Sequence, residues 1–226
     1  MSSAFEHPPH PSQQDHHSLP NFHTTQPFSE PVLYLPPLLS SLPENIKHDL
    51  PEKLQVTPLV TETRLPDIDP ASLSLHKALH HFRPLDANYA DTPYDQAFNW
   101  SDLLLPESEE REWYCVVFRS KRKPASDGIS LYEADKLAHE EAVQNGGLIL
   151  YWYGIPNPKT GMNLATCIWQ SRKHASAANS RPHHIKAMRL AANAYQVYNL
   201  ERYVLRKTAG EPGVSIQPYQ GGDVGW

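Results

Sequence analysis

Two adjacent histidines, His183 and His184, follow Pro182 at the start of a helical pattern. Proline in the first turn, followed by apolar residues at helical spacing, predicts a helix over residues 181–199. One ring of the pair would face the domain interior and the other would face solvent. The positive end of the helix dipole disfavours a protonated imidazole, so a neutral ring could act as general base on a phenol or a carbon next to a carbonyl. The alternative is that one histidine packs or caps the helix and the other is solvated.

Three aromatic residues, Tyr151, Tyr153 and Trp169, are candidates for the walls of a binding site. Tyr151 and Tyr153 alternate in the strand-like run "LILYWYG" and so share one sheet face. Trp169 shares a strand face with Cys167 and Ala165. If these faces line a pocket, the rings would contact a small hydrophobic or aromatic ligand. If they do not, the rings are core residues whose hydroxyls are satisfied at a rim.

Arg119 and Arg202 lie on otherwise apolar strand faces, where an arginine can bind a carboxylate of a ligand or of an acidic segment. The alternative is that both are solvated at strand ends. His174 adds a third imidazole to the histidine pair, but no Asp, Glu or Cys stands beside them at ligand spacing, so no metal site is predicted. The sequence has no glycine-rich phosphate loop, nucleophile elbow or haem attachment motif, so no cofactor is expected.

The elements that must position these residues follow a β-α-β-β-α-β order. Strands are predicted over residues 112–120, 148–154, 163–171 and 200–207, and helices over 130–147 and 181–199, with a short helical or turn segment at 172–180. This is the ferredoxin-like α+β arrangement, in which two helices cover one face of a four-stranded antiparallel sheet. The other face must be covered by a second copy, by the N-terminal arm or by stacked nucleic acid. RNA-recognition motifs share this strand order, but the third strand, "NLATCIWQ", lacks their aromatic RNP1 segment, so nucleic acid is disfavoured.

The chain changes character near residue 110. Residues 1–110 carry 5 Lys and Arg against 16 Asp and Glu, whereas residues 111–208 carry 15 against 7. An acidic arm attracted to its own basic domain explains this pattern, and so does a basic surface for an anionic ligand. We predict a disordered Pro/His-rich arm (1–55), an irregular wrapping segment (56–110), the ferredoxin-like domain (111–208) and a tail (209–226). Within the arm, the apolar patch 31–43 is expected to be a loosely ordered strip.

The two cysteines and the apolar runs indicate the cellular compartment of the protein. Cys115 and Cys167 lie inside apolar strand-like runs, as free thiols of a reducing compartment do. The N-terminus lacks a basic segment followed by an apolar one, and no apolar stretch approaches the ~20 residues that span a bilayer. We therefore expect a cytoplasmic protein without a membrane partner, and a nuclear location stays open.

The pattern of Trp169, Ser171 and Ala175, followed by "PHH" at the second helix, resembles the dimeric α+β barrel superfamily, to which antibiotic-biosynthesis monooxygenases belong. The resemblance covers roughly residues 112–207. It implies a homodimer in which two sheets pack face to face and each protomer's sheet and helices enclose a pocket. The whole chain also resembles an uncharacterised family of fungal proteins with no known activity.

The chemistries of the barrel superfamily include cofactor-free oxidation of polyphenols, polyketide cyclisation, lactone isomerisation and haem-based reactions. Members that use haem bind it through a single histidine, so the resemblance leaves haem possible, although no attachment motif supports it. The resemblance therefore implies a cofactor-independent monooxygenase or a cyclase or isomerase. In that role His183 or His184 would be the base, and Tyr151, Tyr153 and Trp169 the walls. The alternative is a non-enzymatic protein that binds a small molecule or another protein.

Overall fold

One antiparallel sheet of six strands forms the centre of the computed structural model, which describes residues 16–17, 30–38, 69–124 and 128–225. The strands are β1 (Val32–Tyr34), β2 (Arg111–Arg122), β3 (Leu148–Tyr153), β4 (Met162–Trp169), β5 (Tyr195–Lys207) and β6 (Val214–Pro218). The helices are α1 (Pro70–Ala78), α2 (Tyr94–Ala97), α3 (Gly128–Asn145), α4 (Arg172–Asn179) and α5 (Pro182–Ala194), with 3-10 turns at Leu79–His81 and Trp100–Asp102. No described helix has both the length and the apolar run that crossing a bilayer requires.

The strand order is β1-β3-β4-β2-β5-β6, and every neighbouring pair is antiparallel. Strands β2 to β5, with α3 after β2 and α5 after β4, form the predicted ferredoxin-like unit, so this fold prediction is confirmed. The long pairing of β2 with β4 places Tyr114 opposite Trp169 and Val116 opposite Cys167. This register brings the alternating side chains of both central strands onto the same face.

The boundary between α5 and β5 differs from the prediction. The helix was expected to continue to residue 199, but it ends at Ala194, and Tyr195 already belongs to β5. Residues 195–199 are a strand because Tyr195 and Val197 pair with the far end of β2, and this tertiary pairing outweighs the local helical spacing. Within α5, Ala191 and Ala194 are buried, whereas Met188 is 43% exposed.

Both edge strands lie outside the predicted domain. β1 comes from the apolar patch expected to be a loosely ordered strip, and it pairs with β3 from Val32↔Tyr153 to Tyr34↔Tyr151. Pro31 and Pro36 flank it, which suits a short strand at a sheet edge, where one side needs no ladder bonds. β6 comes from the predicted tail and pairs with β5.

The sheet face away from α3 and α5 is covered by residues 69–110, the described part of the predicted wrapping segment. α1 begins at the N-cap Asp69, which accepts a hydrogen bond from the Ser72 N–H. The helix then buries Leu75 completely against this face. Two polar contacts join arm and sheet: Trp113 Nε1 donates to Ser72 Oγ (2.9 Å), and Tyr94 Oη lies 2.7 Å from Thr166 Oγ1.

Residues 69–110 occupy the sheet face through which the two sheets of a dimeric barrel pack together. The homodimer stays a prediction, and with the arm in place it would have to form through another surface. The same face would carry bases in an RNA-recognition motif, and here arm residues lie on it. The four domain boundaries stay predictions. Residues 1–15, 18–29, 39–68, 125–127 and 226 lie outside the described part of the chain, and with them most of the predicted disordered segment.

Candidate functional site

A cavity of about 410 Å3 lies between the sheet and the helices α3 and α5. Its sheet wall includes residues from four strands: Val116, Phe118, Tyr151, Tyr153, Cys167 and Trp169 from β2, β3 and β4, and Tyr195 and Tyr198 from β5. Its helix wall includes Leu131, Asp135 and His139 from α3, and His184, Met188 and Ala191 from α5. The volume suits one small organic molecule, and the mixture of apolar walls with a few polar groups is typical of ligand sites.

Four of the seven residues selected from the sequence line this cavity: Tyr151, Tyr153, Trp169 and His184. His183 does not line it and is exposed at the first turn of α5. The structure thus separates the two histidines, one toward the interior and one toward solvent. The roles assigned to these residues stay predictions.

His184 is held in place through its backbone. The carboxylate of Glu141, buried on α3, accepts hydrogen bonds from the backbone N–H groups of His183 (3.0 Å) and His184 (3.2 Å). The Nδ1 atom of His184 is buried and has no hydrogen-bond partner among the described residues. Burial lowers the pKa of this imidazole, nearby His139 lowers it further, and Asp135 opposes the change. His184 is therefore neutral at pH 7, and burial is the largest cause of its lowered pKa.

His139 is the site residue that the sequence reasoning missed. It is 6% exposed, and its ring stands edge-on to Tyr151 (4.1 Å between centroids) and Tyr153 (5.2 Å). Burial lowers its pKa, and Asp135, whose Oδ2 is 3.7 Å from His139 Nδ1, partly offsets this effect. The signal was present as helical spacing, because Leu131, Asp135, His139 and Ala142 recur every three or four residues along α3 and all line the cavity.

The two tyrosines form one aromatic wall. The rings of Tyr151 and Tyr153 lie 4.3 Å apart, and burial raises the pKa of both phenols well above 10. Both hydroxyls therefore keep their protons at neutral pH and can donate hydrogen bonds. Such neutral phenols can stabilise a negative oxygen that develops in a ligand.

Trp169 closes the cavity beside Cys167, its neighbour on the same face. The indole Nε1 donates to Cys167 Sγ at 3.0 Å, and burial raises the pKa of the Cys167 thiol to about 12. A thiol with so high a pKa is not a thiolate nucleophile at neutral pH. Cys167 is therefore part of the wall.

Neither of the two selected arginines lines the cavity. Arg119 lies on the opposite sheet face, where it pairs with Glu201 (2.5 Å) and donates to the backbone oxygens of Ala90 (2.6 Å) and Thr92 (2.7 Å). Arg119 therefore holds the loop at Ala90 and Thr92 against the sheet, mainly through backbone carbonyl groups rather than through acidic side chains. Arg202 is exposed on β5 and contacts the Tyr114 hydroxyl.

The third imidazole considered for a metal site has a structural place. His174 is buried, and its Nδ1 lies 2.8 Å from Ser171 Oγ. Gly147, with φ +80°, lies so close that a Cβ there would come within 2.2 Å of the His174 ring. Only glycine fits both the space and the backbone conformation. Within the described ranges, no three His, Cys, Asp or Glu side chains form a group that could hold a metal ion.

Fold and site together define a class: a ferredoxin-like α+β protein with a ligand-sized cavity between its sheet and its two long helices. The chain belongs to the PB2B2.08-like family, whose model matches residues 55–218. The UPF0643 protein PB2B2.08 of Schizosaccharomyces pombe (strain 972 / ATCC 24843) is 32% identical over 176 residues, which cover 70% of this chain and 80% of that protein. The resemblance to an uncharacterised fungal family is thereby confirmed.

Solved structures similar to this chain include a candidate monooxygenase from Lactobacillus acidophilus NCFM, with 12% identity and a TM-score of 0.36. The match covers 50% of this chain and 56% of that one. A candidate antibiotic biosynthesis monooxygenase from Nitrosomonas europaea has 16% identity and a TM-score of 0.34, covering 50% of this chain and 97% of that one. The similarity to these structures extends over about half of the present chain.

Proposed function

We propose that the protein is an enzyme that removes a proton from a small aromatic or polyketide-like molecule bound in the cavity, without a cofactor. The observation that carries the proposal is the placement of His184, a neutral, half-buried imidazole whose Nδ1 has no hydrogen-bond partner among the described residues, in the same cavity as the protonated phenols of Tyr151 and Tyr153. A base and hydrogen-bond donors in one apolar cavity are the components of general acid–base catalysis.

The proposed step is a single proton transfer. His184 takes a proton from a phenol or from a carbon next to a carbonyl, and becomes an imidazolium while the ligand becomes a phenolate or enolate. The phenol groups of Tyr151 and Tyr153 donate hydrogen bonds to the new negative oxygen, and Asp135 favours the positive charge on the imidazole. Cofactor-free oxidation, cyclisation and isomerisation can all begin with this step, so the substrate decides which of them follows.

A non-enzymatic binding protein is the second candidate. The observation that favours it is the close packing of the His139 ring on Tyr151, which uses a polar side chain as part of the wall. Both candidates need the cavity to hold a ligand. For either one we expect the cytoplasm, because Cys115 and Cys167 are free and buried, as in proteins of a reducing compartment.

Binding in the cavity can be tested with N-phenyl-1-naphthylamine, a neutral aromatic probe that fluoresces in apolar surroundings. We expect saturable binding to the full chain. The variant Ala165→Trp adds a large side chain at a lining position and should weaken binding at least tenfold. Ala192→Trp adds the same side chain at an exposed position of α5 and should leave binding unchanged. Equal binding by all three proteins would contradict the proposal, provided that their thermal unfolding midpoints agree.

A further inference from the structure

One edge of the sheet is open along part of β5. The neighbouring β6 covers the outer side of this strand only over residues 203–207, and the contact ends where the Tyr219 N–H donates to Arg202 O (2.9 Å). At the other end of the open stretch, the pairing of β5 with β2 shifts register and skips Gln196. In the part of the chain that the structure describes, no strand pairs with the outer side of residues 197–201.

The backbone of this open edge offers unused hydrogen-bonding groups. The N–H and C=O of one residue in an antiparallel strand point to the same side, and this side alternates from residue to residue. Because Arg202 O is bonded on the β6 side, the backbone groups of Leu200 and Tyr198 also point away from β2. Neither residue makes a backbone hydrogen bond on this side to any described residue. A row of such groups is a template for another strand.

The side chains of the open edge also favour association. Tyr198 is 42% exposed and Leu200 is 38% exposed, although both side chains are large and apolar. Edge strands are usually protected by lysine or other charges or by proline, and residues 195–200 contain none of these. Glu201, the next residue, already pairs with Arg119 on the opposite sheet face.

We propose that a second copy of this chain pairs antiparallel with this edge, about a two-fold axis beside Asn199. A second copy fits because residues 197–201 are symmetric about Asn199, as a two-fold interface requires. Tyr198 of each copy then lies opposite Leu200 of the other, and their outward N–H and C=O groups exchange hydrogen bonds. The exposed apolar side chains cover each other, and no like charges face each other across the axis.

This interface leaves the rest of the molecule as it is. The sheet face on which dimeric barrels associate is occupied by residues 69–110, whereas the edge of β5 is open. Tyr198 also lines the cavity, so the second copy would border the ligand site where that site reaches the surface. The pairing depends on the strand geometry alone, and it does not require the proposed proton transfer.

The mass of the full chain in solution tests the pairing. By sedimentation equilibrium from roughly 1 to 200 μM, a range in which weak dimers dissociate, we expect the mass to rise from one copy to two. Leu200→Pro removes an outward N–H that a single chain does not use, so dimerisation should weaken roughly tenfold or more while the fold is kept. Leu200→Val retains the N–H and an apolar side chain, and it should dimerise as the natural chain does.

Two variants at the exposed Asn199 test the axis itself, and they also serve if Leu200→Pro fails to fold. Asn199→Lys and Asn199→Glu each set like charges against each other across the axis, so each alone should dimerise more weakly than the natural chain. An equimolar mixture should form dimers again, because lysine then faces glutamate. Thermal unfolding shows that the variants are folded.

Three results would overturn the proposal. The first is a natural chain that stays monomeric over the whole range, as it would if another protein or another segment of the chain occupied the edge. The second is a dimer that persists unchanged in Asn199→Lys and in folded Leu200→Pro, because it would use a different surface. The third is a failure of the two Asn199 variants to associate when they are mixed.

Discussion

At the scale of single residues, burial sets the protonation states of the cavity. It lowers the pKa of His139 and His184 and raises that of Tyr151 and Tyr153, so all four side chains are neutral at pH 7. Neutral imidazoles accept protons, and neutral phenols donate hydrogen bonds. Burial therefore provides both the proton acceptors and the hydrogen-bond donors that the proposed reaction needs.

Glu141 positions His184, and its removal should be costly. The carboxylate satisfies two backbone N–H groups at the first turn of α5, a role usually filled by an N-cap side chain. We expect Glu141→Ala to reduce the free energy of unfolding by roughly 1 to 3 kcal/mol, because two donors lose their acceptor. Urea unfolding measures this change. The neighbouring Glu140→Ala, which loses an ion pair with Lys136 at the helix surface, should cost less than about 0.5 kcal/mol. Equal costs for the two variants would contradict this role.

The sequence predicted part of the site, and the reason is periodicity. Tyr151, Tyr153 and Trp169 could be found because alternation along a strand assigns a face to each residue. His139 was missed because it stands in the polar run "HEEA", where only the spacing from Leu131 and Asp135 indicates an inward direction. The partners of Arg119 could not be predicted, because besides Glu201 they are backbone oxygens of Ala90 and Thr92, which carry no sequence signal.

At the scale of elements, a histidine cluster joins the N-terminal residues to α1. The rings of His17, His76 and His80 lie 5.3 to 5.8 Å apart between centroids. Two of them contact backbone oxygens next to β1: His17 Nδ1 lies 2.8 Å from Leu35 O, and His76 Nε2 lies 3.3 Å from Pro36 O. The cluster thus connects α1 to the strand that borders Tyr151 and Tyr153 on β3.

This cluster predicts a loss of stability in mild acid. Burial, helped by the nearby His80 and His17 and opposed by the hydrogen bond to Pro36 O, lowers the pKa of His76 from 6.5 to about 4. Below pH 6.5 the unfolded chain binds a proton that the folded chain does not, so stability decreases as the pH falls from about 6.5 to about 4. Allowing for solvent screening, we expect a loss of about 1 to 2 kcal/mol from this residue.

The measurement is urea unfolding at several pH values between 4 and 7.5. His76→Gln keeps a side-chain N–H that can reach Pro36 O but does not titrate, so its stability should depend less on pH in this range. The other buried histidines are present in both proteins, and their effect cancels in the comparison. Identical pH dependence of the two proteins would contradict a role for His76.

The two edge strands, β1 and β6, are the part of the sheet that the sequence did not predict. The four strands and two long helices of the ferredoxin-like unit have strong local patterns, and all were predicted within a few residues except at the end of α5. β1 and β6 are short, and they form because β3 and β5 offer unpaired edges. Such pairing depends on residues that are distant in sequence, so the residues near Val32 or Val214 do not predict it.

At the scale of the whole molecule, residues 69–110 supply one side of the core. Nine large side chains from this segment are buried in the cluster that includes Trp113 and Trp152: Leu75, Leu79, Phe82, Tyr89, Tyr94, Phe98, Trp100, Leu103 and Leu105. Burying each contributes about 1.5 to 3 kcal/mol relative to exposure, which together is comparable with the net stability of a whole domain. Residues 69–110 are therefore part of the folded unit.

Removal of residues 1–110 should expose this face. We expect the shortened chain to aggregate, or to pair through the uncovered sheet, and to lose the cooperative thermal unfolding of the full chain. Light scattering and calorimetry measure both properties. A shortened chain that is monomeric and as stable as the full chain would show that the arm contributes nothing to the core.

The central claim is that His184 removes a proton from a ligand in the cavity, and deuterium exchange tests it most directly. An aryl ketone such as 2-tetralone, first shown to displace N-phenyl-1-naphthylamine, is incubated in D2O at pH 7.5, and the loss of its C1 proton signal is followed by NMR. We predict exchange faster than in buffer, a loss of roughly 100-fold or more of that acceleration in His184→Ala, and no change in His183→Ala. Equal exchange by His184→Ala and the natural chain would contradict the claim, as would binding of the ketone without any acceleration.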